Sequence, residues 1–160
     1  MNEILLFIAG LVGGAVNSLA GGGSFIVFPA LLFVGVPPVL ANASNTYAAL
    51  PGYVSGAVGY WGAMRAYKDR LITYGIVSAL FGYVGAELLL VVSDEQFSLV
   101  VPWLMAFAVA LFVFGNRINA ALRARSGGTR GMKALGAVLL LALLAAVCVY
   151  GGFFNAGLGI

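Results

Sequence analysis

Apolar runs long enough to cross a bilayer follow one another along this chain, and about 20 such residues make a transmembrane helix. One polar, glycine-rich interruption, Asn17-Ser-Leu-Ala-Gly-Gly-Gly-Ser-Phe-Ile-Val-Phe-Pro29, breaks into the first of them. The chain is 62% hydrophobic and 8% charged, whereas a soluble domain carries about 25% charged residues. A soluble fold would have too little polar side chain to cover its surface. The sequence therefore specifies an all-α, polytopic membrane protein.

The net charge of +3 does not point to nucleic acid. The basic residues gather in two short loops between apolar spans, which is a topology signal, and no RNA- or DNA-binding motif accompanies them. There is no histidine and a single cysteine, Cys148, so no disulfide within the chain, no His/Cys metal site and no cofactor is expected. Met1-Asn-Glu3 lacks the positive charge of a signal peptide, and hydrophobicity resumes directly after the glycines.

Three consecutive glycines end a helix, since each costs about 1 kcal/mol against alanine. Residues 4 to 19 and 25 to 36 then read as two short helices, with Ser24 placed as N-cap of the second and Pro37-Pro38 ending it. Either they cross once as a broken helix with Met1 inside, or they dip and return as a re-entrant hairpin with Met1 outside. Their shortness and the lack of positive charge near Met1 favour the hairpin. Spans follow at 39–61, 71–92 and 97–115, and another apolar run starts at 134. The basic loops 64–70 and 116–133 are expected in the cytoplasm and the acidic loop 93–96 outside.

Gly13-Gly-Ala-Val-Asn17 recurs as Gly151-Gly-Phe-Phe-Asn155. This echo suggests a first repeat over 1–133 and the beginning of a second over 134–160, truncated and inverted as in many secondary transporters.

A helix break at membrane depth survives only where protein or a water-filled cavity covers it. The break is therefore read as part of an anion site. A helix N-terminus offers free N–H groups and about half a positive charge, and glycines allow close approach to the backbone. The dipole contributes roughly 0.3 to 2 kcal/mol, less than the several kcal/mol lost on dehydrating an anion. Hydrogen bonds must supply the rest. Asn17, the amides of Gly22 to Phe25, the Ser24 hydroxyl and Asn45 are the candidate donors. The alternative is that the glycines only let helices cross closely.

In the span 39–61, Asn42, Asn45, Thr46, Ala49 and Tyr53 share a face at 100° per residue, with Ser44 and Ser55 pointing elsewhere. This stripe either lines a polar path or only bonds neighbouring helices. Gly52 and Gly56 with Ala48, and Gly75, Ala79, Gly82 and Ala86, form two small-residue ridges suited to helix packing. Glu87 is the one ionisable residue within a span and a candidate for proton coupling, although it lies toward one end.

Ala20-Gly-Gly-Gly-Ser24, Phe28-Pro-Ala-Leu-Leu32, Gly35-Val-Pro-Pro38, Ala41-Asn-Ala-Ser-Asn-Thr46 and Pro51-Gly52, in that order, resemble the first half of the sulfite exporter TauE/SafE family, also called the toluene sulfonate uptake permeases. Tyr150-Gly-Gly-Phe-Phe-Asn-Ala-Gly-Leu-Gly159 resembles the start of that family's second half. The resemblance implies an inner-membrane permease of duplicated halves for small organosulfur or organic anions such as sulfite or sulfonates, with no catalytic residues. The expected substrate contacts are Asn17, Gly21, Gly22, Gly23, Ser24, Asn42, Asn45, Thr46, Tyr53, Asn155 and Gly157. The expected partners are the anion, the lipid bilayer and a second copy or the missing C-terminal half. A non-transporting half-size subunit is the rival expectation.

Overall fold

Glycine and proline punctuation divides the chain into helices, and a computed structural model describes residues 2–124 and 130–155. Helices α1 (Asn2–Ala20), α2 (Ser24–Phe33) and α3 (Pro38–Gly59) are followed by a short α4 (Trp61–Met64) and a 3-10 turn at Arg65–Tyr67. Then come α5 (Lys68–Val91), α6 (Asp94–Ala124) and α7 (Arg130–Phe153). No strand occurs among the described residues.

The break behaves as its glycines require. Gly21 and Gly22 take φ of 75° and 81°, a left-handed conformation that costs an L-residue roughly 1–2 kcal/mol. The chain then folds back on itself. A Cβ on Gly13 would stand 2.6 Å from Val27 Cγ2, and one on Gly23 would strike the Gly13 carbonyl oxygen. Those pairings require α1 and α2 to run antiparallel. They rule out a broken helix that crosses once and leave the hairpin. At 1.5 Å per residue α2 is about 15 Å long, half a bilayer core.

Ser24 is not the N-cap. Gly23 occupies that position, and Ser24 is the first helical residue with its hydroxyl turned to Asn45. Nor does α2 reach residue 36. Gly35 adopts φ 88°, the Val36 N–H bonds the Leu31 carbonyl and the Gly35 N–H bonds that of Leu32. These are the two bonds of a Schellman motif, so Gly35 stops the helix before the prolines are reached. Pro37 is extended and Pro38 opens α3, where its missing N–H has no cost.

The basic loop expected over 116–133 is largely helix, since α6 continues to Ala124 and α7 begins at Arg130. Asn116 to Ala124 holds no glycine or proline and is rich in alanine, leucine and arginine, all good helix formers. The other end of α6 carries a capping box: the Gln96 N–H bonds Ser93 Oγ and the Ser93 N–H bonds Gln96 Oε1. Asp94 Oδ1 accepts from the Val39 N–H at 2.8 Å, tying the starts of α3 and α6 together.

The apolar core lies at that end. Phe28, Ala41, Leu89, Phe97, Val101 and Phe154 are buried together, with Phe28 and Phe154 edge to face at 5.7 Å. Farther along α3, Tyr47, Leu50, Val54 and Val58 are exposed, which suits a lipid-facing helix. Among the described residues, α5 and α7 share the most extensive helix contact. A Cβ on Gly85 would hit the Val149 carbonyl, and one on Gly152 the Gly82 carbonyl. The α5 ridge is thus shifted toward Gly82, Gly85 and Ala86, and Gly75 meets nothing. The expected α3 ridge is not a packing surface: no neighbour lies within 4 Å of a Cβ on Gly52 or Gly56.

Candidate functional site

Among the described residues, four polar side chains are buried in an otherwise apolar interior: Ser24, Asn42, Asn45 and Asn155. They come from three separate places, the start of α2, the first two turns of α3 and the segment just past α7. Asn45 Nδ2 donates to Ser24 Oγ at 3.0 Å. One turn earlier on the same helix, Asn42 Nδ2 donates to the Phe153 carbonyl at 3.0 Å. Asn155 follows two residues later, with its carboxamide beside the Tyr53 hydroxyl. Separate polar contacts from one stretch of α3 thus reach both glycine-marked segments, and together they form a polar seam.

The break itself is braced from α1. Asn17 Oδ1 accepts from the Gly23 N–H at 3.4 Å, and the Asn17 carbonyl accepts from Gly21 at 3.2 Å. Phe25 N–H bonds the Gly22 carbonyl. The four amides expected to face an anion are thereby reduced to two, since only Gly22 and Ser24 N–H lack a hydrogen-bond acceptor among the described residues. Among the described residues, two side-chain atoms are buried without a partner in bonding geometry, Asn42 Oδ1 and Asn155 Nδ2. Buried polar groups are nearly always paired, and these two atoms are exceptions to that rule.

Beside the seam, a cleft of about 420 Å³ is lined by Asn17, Ser18, Gly52, Tyr53, Ser55, Gly56 and Ala57. Gly52 and Gly56 on α3 are among its lining residues, and a Cβ on either would meet no neighbour within 4 Å. Ser55 was expected to point elsewhere, and Ser18 went unread. The spacing Asn45, Gly52, Gly56 was the signal, because steps of seven and four residues keep one helix face.

The structure brings Ser24, Asn42, Asn45, Tyr53 and Asn155 together, with Gly21, Gly22, Gly23 and Asn17 forming and bracing the turn beside them. Thr46 is exposed, and its hydroxyl donates back to the Asn42 carbonyl within α3. Gly157 lies outside the described residues. Glu87 does not join the seam; it is exposed on α5 beside the Tyr83 hydroxyl. All polar side chains of the seam are uncharged carboxamides and hydroxyls.

A family model for the sulfite exporter TauE/SafE matches residues 6–160. The chain belongs to the sulfite exporter TauE/SafE family. It is therefore a membrane protein, which fits the exposed apolar faces of its helices. Among its relatives, the probable membrane transporter protein ORF9 of Sinorhizobium is 28% identical over 154 residues, covering 96% of this chain and 56% of the relative. A probable membrane transporter protein of Haemophilus influenzae is 30% identical over 158 residues, covering 97% and 58%. The probable membrane transporter protein YfcA of Escherichia coli is 35% identical over 54 residues, covering 34% and 20%. The chain spans a little over half the length of the first two relatives. No solved structure matches.

Proposed function

We propose that this TauE/SafE chain carries the anion-binding part of a permease for small organosulfur anions, sulfite or a sulfonate. The observation that carries this reading is the buried seam Ser24, Asn45, Asn42 and Asn155 at the N-terminus of a half-length helix, with unpartnered polar atoms in it. Such a site offers N–H and O–H donors and a helix dipole without a fixed cation, which suits an ion that must also leave. The relatives' names as probable membrane transporters support movement across the membrane over catalysis.

The positive-inside pattern puts the turn at Arg65–Tyr67 in the cytoplasm and Ser93–Gln96 outside. The Asp94 to Val39 bond supports this by joining two helix starts that the pattern assigns to the same face. The cleft flanks the later half of α3, so it opens on the cytoplasmic side. Residues 1–133 then form a first repeat and 134–160 begin a second, with Asn155 in the place that Asn17 holds in the first.

The test is uptake of labelled sulfite and sulfonates by liposomes carrying the natural full-length protein. Ser24→Ala and Asn45→Ala should each weaken binding about tenfold, the worth of one hydrogen bond to a charged group. Transport of a cation with indifference to every organosulfur anion refutes the reading.

A further inference from the structure

The two unpartnered atoms in the seam are of opposite kind, and that difference restricts the ligand. Asn42 is 1% exposed. Its orientation is fixed, because the Phe153 carbonyl at 3.0 Å can only accept and so selects the amide nitrogen. The other branch, Oδ1, is therefore an acceptor with nothing to accept from. Asn155, 7% exposed, presents the converse, an amide nitrogen with no acceptor in bonding geometry, although the Tyr53 hydroxyl lies beside its carboxamide. The two sit within one stretch of structure, since Asn42 holds the carbonyl two residues before Asn155.

A bare oxyanion satisfies only half of this arrangement. Its oxygens suit Asn155 Nδ2 and the Gly22 and Ser24 amides, but against Asn42 Oδ1 they place negative oxygen on negative oxygen. A ligand that also carries an O–H or N–H offers Asn42 Oδ1 the donor it lacks. Charge restricts it further. Dehydration cost grows with the square of the ionic charge, and the seam offers about half a positive charge from the α2 dipole and no cationic side chain. A single charge fits this lining and a double charge does not.

We infer that the seam of Ser24, Asn42, Asn45 and Asn155 selects a singly charged oxyanion bearing its own hydrogen-bond donor, with Asn42 Oδ1 reading that donor. Hydrogensulfite and hydroxylated sulfonates share this chemistry; the sulfite dianion and simple alkanesulfonates lack part of it. The inference rests on the anion-site reading above and adds Asn42 as the group that discriminates among anions.

Calorimetry on the natural full-length protein tests it with 2-hydroxyethanesulfonate and ethanesulfonate, which have equal charge and differ by one hydroxyl. The hydroxylated anion should bind about tenfold to a hundredfold more tightly, the range expected when an analogue leaves a buried acceptor unpaired. In Asn42→Ala the preference should fall to near unity. Equal affinities in the wild type overturn the inference, and so does a preference that survives in Asn42→Ala. The wild-type comparison decides alone if that variant does not fold. A second arm follows sulfite binding as pH rises. Weakening as the monoanion is lost supports the charge assignment, and strengthening overturns it. Binding of both sulfonates with equal strength leaves the anion site standing without this inference, whereas no binding of either sulfonate or of hydrogensulfite removes the site itself.

Discussion

Gly23 differs from the two glycines before it, and substitution should expose the difference. Its φ of −56° is ordinary for any residue, so alanine there meets no backbone strain. The obstacle is α1. A new Cβ would stand 2.7 Å from Asn17 Cβ and 2.8 Å from the Gly13 carbonyl carbon, and would strike the Gly13 oxygen. Carbon contacts settle near 3.5–4.0 Å, so α1 and α2 must part by about 1 Å. The atoms met are mostly backbone and cannot rotate away. Overpacking costs typically 1–3 kcal/mol; taking about 2 kcal/mol, Gly23→Ala should lower the folded-to-unfolded ratio roughly thirtyfold. At Gly21 and Gly22 the cost comes instead from positive φ, roughly 1–2 kcal/mol, and asparagine, which tolerates that region, should recover much of it. The assay is thermal unfolding of detergent-solubilised protein for alanine and asparagine at each position. Asparagine should rescue positions 21 and 22 and worsen 23. Wild-type stability of Gly23→Ala, or asparagine rescue at 23, would refute the close packing of the hairpin.

Three further outcomes follow from contacts described above. Gly152→Leu should force α5 and α7 apart, because its Cβ meets the Gly82 carbonyl; a loss of about 2 kcal/mol or more is expected on unfolding in mild denaturant, and Gly136→Leu, with nothing near it, serves as the tolerated control. Asp94→Ala should cost about 1 kcal/mol by uncapping Val39, while Asp94→Asn, which keeps an acceptor oxygen, should cost less; equal losses would contradict the cap. Ser55→Cys in a Cys148→Ala background should react with a membrane-impermeant thiol reagent from the cytoplasmic face, and Gln96→Cys from the outer face. Reaction of Ser55→Cys only from outside would reverse the assigned direction of the cleft.

The helical membrane class was legible because apolar length and charge scarcity act over whole spans, where local detail averages out. The break was legible too, because three glycines leave a helix little choice. The readings that missed turned on competition between signals. Ser24 has the chemistry of a cap, but its hydroxyl found Asn45, a residue 21 positions away that no local rule anticipates. Gly35 and the two prolines both end helices, and the nearer signal won. In the site, Asn42 and Asn45 were readable from helical spacing, whereas the carbonyl that Asn42 holds belongs to Phe153, an apolar residue with no side-chain sign of that role. Ser93-Asp-Glu-Gln96 was read for its charge although it spells a capping box.

The Asn42 bond to Phe153 spans 111 residues of sequence, and that separation is also an interval of time. At about 5–20 residues per second, the carbonyl that pairs with Asn42 Nδ2 is synthesised roughly 5 to 20 s after it. Among the described residues α1 and α5 are the helices long and apolar enough to cross unaided, and α3 is not. During that interval α3 holds an unmatched carboxamide at the translocon or in a wet cleft, since bare lipid would leave it unpaired at several kcal/mol. The bond from Asn42 to Phe153, and the part of the seam that depends on it, can therefore form only after α7 has been made.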